Sequence, residues 1–238
     1  MDAWQTTINA SSVTLGFVAL AGLVVRGRLR RAAFFASFLG LVSTYGLIVA
    51  LYPGVIAWRL WVVKEVTLGV VALLAALEIG LRMFAKRGGA RPRAGLAALI
   101  VMAFTAFALG LDLSAPAAGS FATTAATEIL FFELAREVLP RLAYGAAWLF
   151  TVVWAVARRC AVPLDAWHEA VLLGSSIFWV LQATCLGLLV HPTSARLASD
   201  FVTVSFLVVV SVWAAMAWRR ESPPAVPPEI VRELWPWS

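Results

Sequence analysis

Residues 57–87 read AWRLWVVKEVTLGVVALLAALEIGLRMFAKR, an apolar run interrupted between Arg59 and Arg82 only by the charges of Lys64, Glu65 and Glu78. At about 1.5 Å rise per residue, a helix over 57–81 covers the roughly 30 Å hydrocarbon layer of a bilayer. The run therefore predicts a membrane-spanning helix. It also predicts where function sits, because ionisable groups within a membrane are costly to desolvate and face a partner, a cavity or the bundle interior.

Six further apolar stretches flank this one and predict helices near 8–25, 32–52, 95–112, 142–157, 166–190 and 201–218. Composition agrees: 62% of the 238 residues are hydrophobic, only 13% are charged, and mean hydropathy is +0.88. A soluble domain carries about a quarter of its residues charged. A closed β-barrel would show alternating segments of about ten residues instead of these unbroken runs. The expected fold is all-α, a polytopic seven-transmembrane-helix bundle forming one domain over 1–220. Residues 1–12 hold no cationic side chain, so no signal-peptide n-region precedes the first run and helix one is expected to remain in the mature chain.

Lysine and arginine set the orientation, since cationic loops stay on the cytoplasmic side. Arg26, Arg28, Arg30 and Arg31 follow the first run, and Arg82, Lys86, Arg87, Arg91 and Arg93 follow the third. Arg158 and Arg159 follow the fifth, and Arg219, Arg220 and Arg232 the seventh, leaving few cations for the alternate connections. This bias predicts an outer N-terminus, a cytoplasmic C-terminus and an odd number of crossings of the cell inner membrane. The segment 121–141 contains Glu128, Glu133, Arg136, Glu137 and Arg141, each costing about 2.5–3.5 kcal/mol at mid-membrane, and an eighth span there would invert the bias. It reads as an amphipathic outer helix with a bend at Pro140.

The net charge of +6 is explained by these membrane-flanking arginines and the anionic leaflet beside them, so no nucleic-acid partner is expected. Seventeen arginines against two lysines, with abundant alanine, fit a GC-rich bacterial genome. Cys160 and Cys185 fall at the inner surface and within a span, without CxxC or metal-type spacing, and predict no disulfide. Of eleven tryptophans, Trp58, Trp61, Trp154, Trp167, Trp218, Trp235 and Trp237 fit interfacial belts. Trp148, Trp179 and Trp213 lie deeper, as core filler or as the lining of a ligand pocket. Small residues at four-residue spacing, Ala36 with Gly40 and Ala106 with Gly110, permit close helix contact.

Glu65 is the leading functional candidate. With the third helix centred between Arg59 and Arg82, it lies about 8 Å from the midplane, next to Lys64. It reads either as a proton acceptor or ligand contact, or as a satisfied interhelical partner. Glu78 has Arg82 at i+4, which favours a local pair. Gln182, with Ser175, Ser176 and Thr184, offers uncharged hydrogen-bonding groups. Asp165, His168 and Glu169 share a helical side near the inner surface at i, i+3 and i+4. That spacing admits a metal, but Asp165 also fits an N-cap with Glu169 in the first turns. His191 lies at the opposite end from His168, so a bis-histidine haem has no ligands. No HExxH, phosphate-binding glycine loop or GxSxG elbow is present, and the last helix lacks the lysine a retinal Schiff base requires. No catalytic residue, metal or cofactor is expected. The halves show no obvious repeat or matched broken helices, which weighs against a secondary transporter.

The second helix opens on Arg31, Phe34 and Phe35; the third opens on Trp58 and Trp61, with Glu65 and Glu78 following; and Val162-Pro163-Leu164 leads into the sixth. In this order of features, over most of its length, the chain resembles uncharacterised seven-helix bacterial inner-membrane proteins. The resemblance implies the bundle and the membrane but no activity. By topology alone it also resembles the seven-helix sensory regions of some histidine kinases. Two functions are therefore expected as alternatives. One is a non-enzymatic sensor-type input or accessory subunit working through a partner. The other is a transporter or intramembrane enzyme for a lipid or small apolar molecule, using Glu65. The cytoplasmic tail, 221–238, with Pro223, Pro224, Pro227 and Pro228 before Glu229–Trp235, reads as a stiff spacer ending in a short amphipathic segment. It is either a docking element for a protein partner or an inert interfacial tail.

Overall fold

The computed structural model describes residues 3–29, 32–52, 58–85, 134–160, 162, 164–188 and 192–220. Among these, six α-helices carry the fold: α1 (Ala3–Val25), α2 (Ala33–Leu51), α3 (Trp58–Ala85), α4 (Leu139–Arg159), α5 (Ala166–Leu188) and α6 (Pro192–Trp218). The described residues contain no strand. Each of the six helices is long and apolar enough to cross a bilayer, and the protein is a multi-pass membrane protein in contact with lipid. The expected span over 95–112, residues 121–133 of the expected outer helix, and the tail over 221–238 lie outside the described residues.

Several helices outrun the apolar stretches that announce them. α1 starts at Ala3 instead of near 8, α3 continues to Ala85, and α6 starts at Pro192 instead of near 201. The reason is physical: an apolar run measures what lipid covers, whereas the hydrogen-bond ladder continues into the interface through polar residues such as Thr6, Thr7, Thr193 and Ser199. Pro192 stands first in α6, where its fixed φ suits a helix start and its missing N–H is not needed. At Pro140 the sequence predicts a bend, and the structure has a π-turn over Leu134–Val138 running into the first turn of α4, with Val138 at φ −79° and ψ −43°. A proline ring crowds the carbonyl four residues back and donates nothing to it, and the wider π-turn relieves both problems.

The helices close into a ring in the order α1, α2, α3, α4, α5, α6 and back to α1. Contact pairs give their directions. Val13 meets Gly46 and Gly16 meets Ser43, so α1 and α2 are antiparallel. Phe34 with Glu78 and Tyr45 with Lys64 make α2 and α3 antiparallel. Thr151 with Ser176 and Arg158 with Glu169 do the same for α4 and α5, as do Phe178 with Phe206 and Ala170 with Trp213 for α5 and α6. The end of α6 bonds the end of α1, where Trp218 Nε1 donates to the Val18 carbonyl at 2.9 Å, so these two run parallel. It follows that α3 and α4 are also parallel, although they are ring neighbours.

Lipid tails offer side chains as apolar a setting as the protein interior, so packing and hydrogen bonds, not water exclusion, hold such helices together. Glycines permit the closest approaches. A Cβ on Gly22 would meet the Ala217 Cβ at 2.9 Å, and one on Gly174 would meet Trp213 Nε1 at 2.9 Å. Phe35, Phe38, Trp167, Trp179, Trp213, Phe178 and Phe206 form a continuous aromatic cluster inside the ring, with Phe35 and Trp213 edge to face at 5.0 Å. Val70, Leu74, Ile177 and Val208 are exposed, as a lipid-facing surface requires.

Candidate functional site

Lys64 and Glu65 stand in the first half of α3, among the starts of α1 and α6 and the ends of α2 and α5. The Lys64 ammonium pairs with Glu65 Oε1 and lies 4.6 Å from the centre of the Tyr45 ring. Successive helical residues do not share a face, so the lysine stem must curl toward its neighbour; the Tyr45 ring face gives the ammonium a second attraction. Glu65 is 9% exposed, and its Oε2 accepts a 3.4 Å hydrogen bond from Gln182 Nε2 on α5. These residues line a cavity of about 210 Å³. α1 contributes Asn9 and Ser12 to its wall, α2 contributes Phe38 and Tyr45, α5 contributes Phe178 and Trp179, and α6 contributes Thr203 and Phe206. Ser12 Oγ and Gln182 Oε1 are buried without a hydrogen-bond partner among the described residues.

Glu78, in contrast, does not line this cavity. Its Oε2 accepts from the Phe34 N–H at 2.8 Å and its Oε1 pairs with Arg82 at 2.7 Å. The N-cap position of α2 is Ala32, which has no side-chain acceptor. Glu78 therefore caps α2 from the neighbouring helix and places a carboxylate at the positive end of its dipole. This role is structural.

The triplet Asp165, His168 and Glu169 separates into two pairs. Asp165 Oδ1 accepts from the His168 backbone N–H at 2.7 Å, three residues into α5, and also lies 2.7 Å from His168 Nδ1. Glu169 turns away to pair with Arg158 of α4. The described residues hold no group of three or more potential metal ligands. Burial pushes the Asp165 pKa up, yet the His168 side-chain hydrogen bond and charge, the His168 N–H and the charge of Arg28 together carry it below its ordinary value.

Arg28 has a role that reading the sequence did not single out. Counted there among the membrane-flanking cations that follow the first run, it is only 4% exposed. A Schellman turn ends α1: Gly27 adopts φ 65°, its N–H bonds the Val24 carbonyl at 3.0 Å, and the Arg28 N–H bonds the Leu23 carbonyl at 2.8 Å. The turn delivers the guanidinium beneath the end of α6, where it donates to the carbonyls of Met216 (2.8 Å), Ala217 (3.2 Å) and Arg219 (2.9 Å). It also lies 5.7 Å from the ring centre of Trp167, a residue expected in the interfacial belt but only 3% exposed. The glycine between two arginines was the one available signal, and it could not name a partner nearly two hundred positions away. Of the deeper tryptophans, Trp213 is fully buried, Trp179 lines the cavity and Trp148 is half exposed.

Comparison with protein-family models, with curated proteins and with solved structures returned no match.

Proposed function

We propose that this chain is a seven-span protein of a bacterial inner membrane, N-terminus outside and C-terminus cytoplasmic, acting as a sensor-type input or accessory subunit through a protein partner. The parallel course of α3 and α4 supports the count, because a chain leaving α3 on one face must reach the opposite face before α4 begins. The apolar run at 95–112 is long enough for that crossing. The arginine bias places the ends of α1, α3, α4 and α6 in the cytoplasm. Epitopes inserted before Ala3 and after Arg220 are expected on opposite sides of intact cells; finding both on one side would refute the odd count.

The observation that carries the functional reading is the cavity. A mostly apolar hollow with an ion pair and a side-chain amide in its wall has the composition of a small-molecule site. On this orientation it lies in the outer half of the bundle, suited to a ligand arriving from outside or from the outer leaflet. The tail over 221–238 is the proposed contact for the cytoplasmic partner. A transporter or intramembrane enzyme using Glu65 would occupy the same cavity, since Glu65 is in its wall.

Gentle purification of the full chain followed by mass spectrometry is expected to recover a stoichiometric protein partner. Recovery of the chain alone would count against the module reading. Should reconstituted vesicles display transport or turnover, its loss in Glu65→Gln would favour the second reading, and undiminished activity would remove Glu65 from it.

A further inference from the structure

The cavity wall is graded along the bundle axis. On α3, Lys64 and Glu65 enter the wall about one turn before Leu68, and on α6 Thr203 stands about one turn before Phe206. The antiparallel helices reverse the order, as the same grading requires: on α2, Phe38 and Val42 come before Tyr45, and on α5, Phe178 and Trp179 come before Gln182. α1 adds Asn9 and Ser12 from its first half. The contacts of Tyr45 with Lys64 and of Gln182 with Glu65 set the polar residues at one level. At the other end the rings of Phe38 and Trp179 lie 5.9 Å apart, and those of Phe178 and Phe206 5.2 Å apart. Val49 and Val202 also stand at the polar end, but among the described residues no hydroxyl, amide or charged side chain lines the aromatic one.

A wall that is polar at one end and apolar at the other fits a ligand built the same way, since reversing it would strand a polar group against aromatic rings. Asn9, Ser12, Tyr45, Gln182 and Thr203 are uncharged, and the Lys64 ammonium is already held by Glu65 and the Tyr45 ring. A carboxylate brought there would lose its water and compete with Glu65 for the lysine, whereas a hydroxyl both donates and accepts and so meets either kind of group. Size sets a bound. An apolar cavity of roughly 150 Å³ holds benzene, so this one, about 210 Å³, takes a molecule of about eight or nine non-hydrogen atoms. We propose that the cavity binds a small uncharged amphiphile, an alcohol with its hydroxyl among Tyr45, Lys64 and Gln182 and its hydrocarbon end against Phe38, Phe178 and Phe206. This inference rests on the ligand-input reading and specifies the ligand class and its orientation.

1-Octanol is of this size, and it can carry a photoreactive diazirine either beside the hydroxyl or at the far end of the chain. The purified full chain in phosphatidylcholine vesicles is irradiated with each probe, and the adducts are located by peptide mass spectrometry. The chain-end probe is expected on Phe38, Leu68, Phe178 or Phe206, and the head probe on Tyr45, Lys64 or Gln182. Excess 1-octanol should remove both sets of adducts, and octanoate at neutral pH should need about tenfold more to do so. The wild-type chain alone is used, so no variant has to fold. Interchanged or unsorted positions would overturn the orientation, and stronger protection by octanoate would overturn the uncharged head, each leaving a ligand site in place. Absence of any octanol-protected adduct in the cavity wall would overturn the proposal and the ligand input with it, whereas the protein partner is tested apart by its co-purification.

Discussion

Arg28→Ala is expected to be among the most destabilising single substitutions in this protein, by about 3 kcal/mol in a denaturant titration of the chain in mixed micelles. Hydrogen bonds to a charged donor contribute about 1.5–3 kcal/mol each, and here one guanidinium serves three carbonyls at the end of α6. The carbonyl end of a helix is also the negative end of its dipole, and removing the cation exposes that end. Water reaching the helix end replaces part of the loss, which holds the estimate below the simple sum. Arg28→Lys should recover less than half, because a lysine is a single point charge and cannot span three acceptors in one plane. A wild-type unfolding curve for Arg28→Ala would show that the contact between the α1–α2 turn and the end of α6 contributes nothing. Because the tail over 221–238 leaves from that point, the same variant should weaken any partner docking that needs the tail aimed.

Trp213→Ala is the second large expectation, again on the order of 3 kcal/mol, at the low end of the range for Trp→Ala in cores. The low end applies because lipid is as apolar as the core, so the transfer component fades and the void remains. Trp213 is fully buried, donates through Nε1 to the Ala170 carbonyl at 3.2 Å, and packs edge to face on Phe35 at 5.0 Å and Phe38 at 6.2 Å. Phe38 is also cavity wall, so the void opens into the proposed site and should loosen ligand selection. A double-mutant cycle isolates the packing. Gly174→Ala should cost stability in the wild type, where its Cβ would lie 2.9 Å from Trp213 Nε1, and little in the Trp213→Ala background. Additive effects at 174 and 213 would show that this close approach is unimportant.

Helix type and the positions of six spans were legible in the sequence because hydrocarbon acts on the chain locally. Every twenty or so residues either tolerate lipid or do not, and that property is fixed by side-chain composition alone. The π-turn before Pro140 was not legible, since a proline announces a disturbance without saying how the backbone absorbs it. The ring order was not legible either, because apolar helices carry no label for their neighbours.

The charged groups show the division most sharply. Sequence marked Glu65 and Glu78 as carboxylates in one span, with Glu65 the leading candidate and Glu78 expected to pair locally with Arg82. Packing separated them, giving Glu78 the bare start of α2 to cap and Glu65 a lysine, an amide and a cavity. Asp165, His168 and Glu169 shared a helical side by spacing, yet a backbone N–H claimed one and Arg158 another. Arg28, one of several membrane-flanking cations in the sequence, became a buried clamp on the strength of a turn and a distant helix end. Solvent preference is a property of each residue and can be read along the chain. A partner is a property of the space around a residue, which exists only once six helices have closed around it.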